Sequence, residues 1–144
     1  MILDNQLNFS SAQALSATGA STNYVDLTSD RKIGIGAPLV AIVTIDTALA
    51  GTSPTFAFAI QMDDNTSFSS PTAVATSQTY SGAAVVPAGA RFVLPVPADT
   101  SGERYVRLNY TLGGTTPTVT VTAFLQPASM VQNDGTFADS LSIY

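Results

Sequence analysis

The stretch ERYVRLNYTLGGTTPTVTVTAFL, residues 103–125, contains two alternating runs on either side of a Gly-Gly pair. Apolar side chains recur at every second position of each run, which is the period of a β-strand with one buried face. They are Val106, Leu108, Tyr110 and Leu112 in the first run, and Val119, Val121, Ala123 and Leu125 in the second. The pattern predicts a core β-hairpin that turns at GGTTP, with Tyr105, Arg107 and Asn109 on its outward face.

The chain before this hairpin has the same strand-and-turn character. Dense β-branched residues at 39–47 predict a buried central strand, and clear alternation at 55–63 predicts a second strand, with AGTSP breaking the chain between them. Prolines make residues 91–97 an edge strand, because Pro95 has no N–H to donate to a neighbour. Shorter strands are expected at 23–27 and 72–80. Residues 9–21 form either a short helix or an extended arm.

Seven or eight short strands with turns between them predict an all-β fold. We expect an antiparallel β-sandwich or jelly roll of about eight strands. A chain of 144 residues suggests one domain, over residues 1–144, with candidate arms at 1–22 and 127–144.

The composition excludes most catalytic and metal chemistry. The chain has no cysteine and no histidine, so it lacks the thiolate nucleophile, the commonest general base and the commonest metal ligands. Catalysis by carboxylates alone would require residues such as Asp46, Asp99 and Glu103 to converge across a cleft. We therefore expect no enzyme, no catalytic or cofactor-binding residue, and no cofactor.

The charge balance argues against nucleic acid as a partner. The formal net charge is −5, and five basic residues face ten acidic ones, whereas nucleic-acid binding needs a basic footprint. Charged residues make up 10% of the chain, against about 25% in an ordinary soluble domain. Either neighbouring subunits cover much of the surface, or the protein is a Thr-rich β-protein with a neutral surface. No apolar run approaches the ~20 residues of a membrane span, so no membrane partner or export is expected.

Two clusters of polar residues are candidate sites. Asp63 and Asp64 precede Asn65 in a loop, where clustered oxygens bind calcium or, as ordinary turn residues, cap their own backbone. We favour the turn and assign no metal site. Arg91, Arg104 and Arg107 lie on or beside two strand patterns. They either dock an acidic partner or neutralise Asp99 and Glu103; we favour docking for Arg107 and neutralisation for Arg104.

Four groups of segments, between residue 1 and about residue 114, follow one another in a distinctive order. They are MILD with LNFSSAQALSATGAST, NYVDL with GIGAPL, QMDDNTSFSSPTAVATS, and RFVLPVP followed by ERYVRLNYTLGG. Their order resembles the phage capsid cement (decoration) protein family typified by a Bordetella phage protein. The resemblance implies a jelly-roll-like virion protein on the exterior of an HK97-type icosahedral capsid, made in the host cytoplasm. Its partners would be the major capsid protein and further copies of itself, as a homodimer or homotrimer.

Under this interpretation both ends of the chain order against neighbours. The apolar residues predicted for this role are Ile2, Leu3, Leu7 and Phe9 near the start, and Phe137, Leu141, Ile143 and Tyr144 near the end. Arg91, Tyr105 and Arg107 complete the predicted protein interface. The alternative function is a carbohydrate- or receptor-binding β-sandwich of a virion, in which Tyr80, Tyr105 and Phe124 stack on sugars.

Overall fold

The computed structural model describes residues 5–29, 36, 38–97 and 103–130. They form eight strands in one sheet, with every strand pair antiparallel, and two single 3₁₀ turns at Asn5–Leu7 and Ala128–Met130. The predicted all-β antiparallel fold is confirmed. The strands are β1 (Asn8–Leu15), β2 (Gly19–Ala20), β3 (Val25–Asp26), β4 (Leu39–Asp63), β5 (Thr72–Thr76), β6 (Tyr80–Ser81), β7 (Arg91–Pro95) and β8 (Tyr105–Pro127).

Two very long strands, β4 and β8, form the centre of the sheet. They pair along their whole length, from Leu39 opposite Pro127 to Asp63 opposite Tyr105, with register shifts between residues 45 and 55 of β4. These shifts divide the sheet into two parts. We call residues 39–47 and 118–127 with β1 and β7 the first half-sheet. Residues 55–63 and 105–113 with β2, β3, β5 and β6 are the second half-sheet.

The predicted hairpin at residues 103–125 is wrong. GGTTP does not reverse the chain, because β8 runs through it without interruption, and AGTSP likewise lies inside β4. The two segments face each other and bend together, with Thr52 opposite Thr115. Gly51 and Gly114 have φ values of 128° and 97°, a region that L side chains rarely adopt. Turn-forming residues thus serve here as a shared bend.

The bend brings the inner faces of the two half-sheets together around one core. The Phe58 ring of the second half-sheet lies 6.3 Å from the Phe92 ring of the first, centroid to centroid. The alternation predicted for residues 55–63 and 103–125 and the burial predicted for residues 39–47 are confirmed by the buried side chains. They are Ala41, Val43, Ile45, Val119, Val121, Ala123 and Leu125 in the first half-sheet, and Phe56, Phe58, Ile60, Met62, Val106, Leu108, Tyr110 and Leu112 in the second.

The segment after the first 3₁₀ turn is part of the sandwich. Neither the helix nor the extended arm expected at residues 9–21 is found, because β1 pairs with β8 and contains two register shifts. Phe9 is 0% exposed in the core, and Leu7 packs against that core half-buried. Burial leaves Phe9 no surface for a partner, which corrects its assignment to an arm. Ile2 and Leu3 lie outside the described residues, as do Phe137, Leu141, Ile143 and Tyr144.

Candidate functional site: an arginine–aromatic patch

The outward face of the second half-sheet carries a group of cationic and aromatic side chains. Tyr105 and Arg107 point outward because they alternate with the buried Val106 and Leu108 on β8. Three further residues join them from other parts of the chain. We define the arginine–aromatic patch as Tyr24, Phe68, Arg104, Tyr105 and Arg107.

The guanidinium of Arg107 is held by two neighbours. Its central carbon lies 4.2 Å from the centroid of the Phe68 ring, and its Nε donates a hydrogen bond of 2.9 Å to Gln61 Oε1. Partial burial lowers the pKa of Arg107, while the nearby Asp63 carboxylate opposes that shift. An arginine stays protonated under such conditions, so the patch keeps this positive charge.

Phe68 reaches the patch through the loop that follows β4. Asp63 organises that loop: its carboxylate accepts hydrogen bonds from the N–H of Asp64 at 2.7 Å and of Ser70 at 2.9 Å, and from Asn65 Nδ2 at 3.1 Å. Burial acts to raise the pKa of Asp63, but these donors outweigh it and hold the pKa below its ordinary value. The carboxylate therefore serves as a turn cap, and within the described residues no group of three or more acidic side chains forms a metal site.

A bidentate ion pair closes the other side of the patch. Arg104 donates from Nε to Asp26 Oδ1 at 2.8 Å and from a terminal nitrogen to Asp26 Oδ2 at 2.9 Å. The hydrogen bond from Arg104 lowers the pKa of Asp26, and the N–H of Thr28 adds to the effect. We expected Arg104 to neutralise Asp99 and Glu103, but the ion pair seen among the described residues joins Arg104 to Asp26 on β3. Asp99 lies outside the described residues.

The aromatic rings fix the geometry between the two arginines. Tyr24 meets Tyr105 edge-on, with centroids 5.5 Å apart and planes at 89°, and its ring lies 6.1 Å from that of Phe68. The Arg104 guanidinium carbon lies 5.0 Å from the Tyr105 centroid. Tyr24 remains 44% exposed. The patch therefore offers a rigid aromatic surface with placed positive charge.

The structure gathers only some of the predicted interface residues. Tyr105 and Arg107 lie together, but Arg91 is exposed on β7 of the first half-sheet, opposite Thr44. Sequence reasoning missed Tyr24 and Phe68. Tyr24 had a usable signal, because it precedes the buried Val25 and alternation directs it outward. The sequence signal for Phe68 was weak, because Phe68 is a single aromatic residue in a polar turn.

The side chains considered for other chemistry are occupied or buried. Asp46 accepts a 2.6 Å hydrogen bond from Thr122 Oγ1 on the first half-sheet, whereas Glu103 precedes β8 at the opposite end of its pairing with β4. Of the proposed sugar-stacking rings, Phe124 is buried, and Tyr80 packs on Phe92 with centroids 4.3 Å apart. Of the described candidates, Asp46 and Glu103 thus lie at opposite ends of the long strands, and Phe124 and Tyr80 leave Tyr105 as the one predicted stacking ring on the patch.

This geometry defines the class of protein: a bent β-sandwich with a surface patch of arginine and aromatic side chains. The family model Bbp16 matches residues 9–125, from β1 to nearly the end of β8, and the chain belongs to the Bbp16 family. The family name suggests a protein of a Bordetella phage. No curated protein matches the chain. None of the helices in the described part is long and apolar enough to cross a membrane.

Proposed function

We propose that this protein is a capsid cement protein, which binds the outer surface of an HK97-type icosahedral capsid and clamps neighbouring capsomers. Its partners would be the major capsid protein and other copies of this chain, and it would have no catalytic role. The observation that carries the proposal is the arginine–aromatic patch, a preorganised surface that presents the Arg107 guanidinium on an acidic, charge-poor chain. Membership of a phage family supports a virion setting.

The patch has the chemistry of a protein-binding surface. Arginine and tyrosine are enriched among residues that dominate binding energy at interfaces, where they fill desolvated contacts. Arg107 is already held by Phe68 and Gln61, so it would lose little side-chain freedom on docking. Apart from Nε, its guanidinium makes no hydrogen bond with a described residue. A carboxylate of the partner is the natural complement of such a group.

Cementing follows from repetition of such contacts. Each copy needs only modest affinity, because a unit that bridges two capsomers makes its second contact at high effective concentration. The net charge of −5 suits the capsid exterior, since an acidic protein beside packaged nucleic acid would be repelled. The Arg107 guanidinium then provides local attraction on a chain that is acidic as a whole.

The test is the capsid affinity of Arg107→Glu. Capsids that lack this protein are mixed with each variant, and occupancy is measured at low and at high salt beside the urea unfolding curve. We expect Arg107→Glu to weaken attachment about tenfold or more at low salt, because the charge of a half-buried side chain at the contact with the capsid is reversed. The effect on folding should be smaller. Equal loss of attachment and of folding stability would overturn the docking role.

Arg91→Glu is the matched control: Arg91 was predicted for the same interface, but it lies on the first half-sheet, away from the patch, and the change of charge is the same. We expect it to retain most of its capsid binding. An equal effect of both substitutions would show that long-range charge, rather than the patch, governs attachment. Imaging of the particle gives a further distinction, because cement should be far more abundant on a particle than a receptor-binding spike.

A further inference from the structure

A groove of about 480 Å³ lies beside the arginine–aromatic patch, between the start of β1 and the segment around β3. The described residues that line it are Gln6, Asn8, Asn23, Tyr24, Asp26 and Thr28. We propose that this groove binds a neutral, polyhydroxylated ligand, namely a short oligosaccharide. The site would be additional to capsid attachment and would not depend on it.

The side chains of the groove walls can form hydrogen bonds with hydroxyl groups. Three of the lining side chains are primary amides, which offer both donors and an acceptor, and hydroxyl groups of a sugar can pair with either. The carboxylate of Asp26 is the one charged side chain among the described lining residues, and its charge is already matched by the bidentate bond from Arg104. The wall therefore has no uncompensated charge to select a phosphate or an ammonium group.

One residue of the wall has a buried polar atom without a hydrogen-bond partner. Asn8 Oδ1 is buried and makes no hydrogen bond among the described residues. Buried acceptors are nearly always paired, because leaving one unpaired costs the desolvation of the group. Rotation of the Asn8 amide toward the groove would expose this oxygen to a ligand hydroxyl, which brings the donor that it lacks.

The groove also has a fixed aromatic ring. Tyr24 is 44% exposed, and its ring is held by the edge-on contact with Tyr105 and by the ring of Phe68. An exposed, immobilised ring suits the C–H face of a sugar, which supplies apolar contact beside the polar wall contacts. The walls are preformed too, since the N–H of Asn23 donates to the Phe9 carbonyl at 2.9 Å and that of Thr28 to Asp26 Oδ1 at 2.7 Å.

The experiment begins with the intact chain on an array of neutral, anionic and cationic oligosaccharides. The strongest neutral hit is then titrated by saturation-transfer NMR against the variants Tyr24→Ala, Tyr24→Phe and Asn8→Leu, each checked by circular dichroism. We expect Tyr24→Ala to weaken binding at least tenfold, Tyr24→Phe to retain it, and Asn8→Leu to weaken it severalfold. An array without a neutral hit, or a hit that neither Tyr24→Ala nor Asn8→Leu weakens, would overturn the proposal.

Asn8→Leu also separates this site from the capsid-binding patch. Asn8 lines the groove but does not belong to the patch, so its substitution should lower oligosaccharide binding and leave capsid occupancy unchanged. Arg107→Glu should do the reverse. Parallel loss of both activities in both variants would show a single shared surface and would reject a separate oligosaccharide site.

Discussion

At the scale of single residues, a pair of hydroxyl groups links the two half-sheets inside the core. Ser10 Oγ on β1 lies 2.8 Å from the Tyr110 hydroxyl on β8, and both residues are 0% exposed. Ser10 donates its own proton to Gln13 Oε1 at 2.6 Å, so the Tyr110 hydroxyl is the donor to Ser10. Burial raises the pKa of Tyr110, which keeps the phenol protonated and able to donate at every ordinary pH.

Removal of this serine should therefore destabilise the fold more than its size suggests. Ser10→Ala leaves the Tyr110 hydroxyl buried without an acceptor, and we expect a loss of about 1–3 kcal/mol in the free energy of unfolding. Urea denaturation measures it. Ser11→Ala is the control at an exposed neighbouring position, and equal effects of the two substitutions would contradict the role of the hydroxyl pair.

Asp63 makes the stability of the loop dependent on pH. Its pKa in the folded protein lies below the ordinary value of 3.8, so the stability it contributes is present above that value and is lost as the pH falls through the folded pKa. Asp63→Asn should be less stable at pH 7, because an amide nitrogen cannot accept the hydrogen bond from Ser70. The variant should also lose less stability on acidification below about pH 4.

Thermal unfolding between pH 7 and pH 2 measures both effects of Asp63→Asn. Asp64→Asn provides the control, since it removes the same charge from an exposed side chain of the same loop. If the two variants show the same dependence of melting temperature on pH, the hydrogen bonds of the Asp63 carboxylate do not govern it.

At the scale of elements, the shared bend of β4 and β8 creates the sandwich. A Cβ atom on Gly114 would lie 2.5 Å from the Ser53 carbonyl oxygen, and one on Gly51 would lie 2.9 Å from the carbonyl oxygens of Thr115 and Thr116. Both obstacles are backbone atoms of the opposite strand, which cannot rotate away. The close approach of the two strands, as well as the positive φ, therefore requires glycine at the bend.

Two alanine substitutions separate these two requirements. Gly114→Ala places a Cβ atom both at a strained φ and against the backbone of β4. Gly89→Ala places one at a φ of 85° with open space around it. We expect a loss of about 1 kcal/mol for Gly89→Ala and of at least 2–3 kcal/mol for Gly114→Ala, from urea unfolding curves. Similar losses would mean that the bend tolerates a wider separation of β4 and β8.

At the scale of the whole molecule, we still predict that the two ends of the chain contact neighbouring subunits. Deletion of residues 131–144 removes Phe137, Leu141, Ile143 and Tyr144, and deletion of residues 1–4 removes Ile2 and Leu3. Each deletion should lower capsid occupancy, because it removes apolar contact from a multivalent attachment. Cosedimentation with capsids measures this, with circular dichroism as the check on folding. Unchanged occupancy would reject a role for the deleted segment.

Much of the core could be predicted, but the assembly of the site could not. Alternation correctly placed Phe56, Phe58 and Leu108 inward and Arg107 outward, because a period of two is a local property of a strand. The patch depends instead on side chains brought together from distant segments. Asp26 meets Arg104 across 78 positions, and Phe68 is directed under Arg107 by the hydrogen bonds of Asp63.

The all-β class, the buried faces of residues 55–63 and 103–125, and the absence of histidine and cysteine chemistry follow from the amino-acid sequence alone. That GGTTP and AGTSP bend two continuous strands, instead of ending them, is visible only in the folded chain. The reason is that a glycine-rich segment permits both a reversal and a bend, and the choice rests on whether the opposite strand follows it. The local sequence likewise does not show that β1 pairs with β8. Phe9 was therefore assigned to an arm, although this pairing buries it.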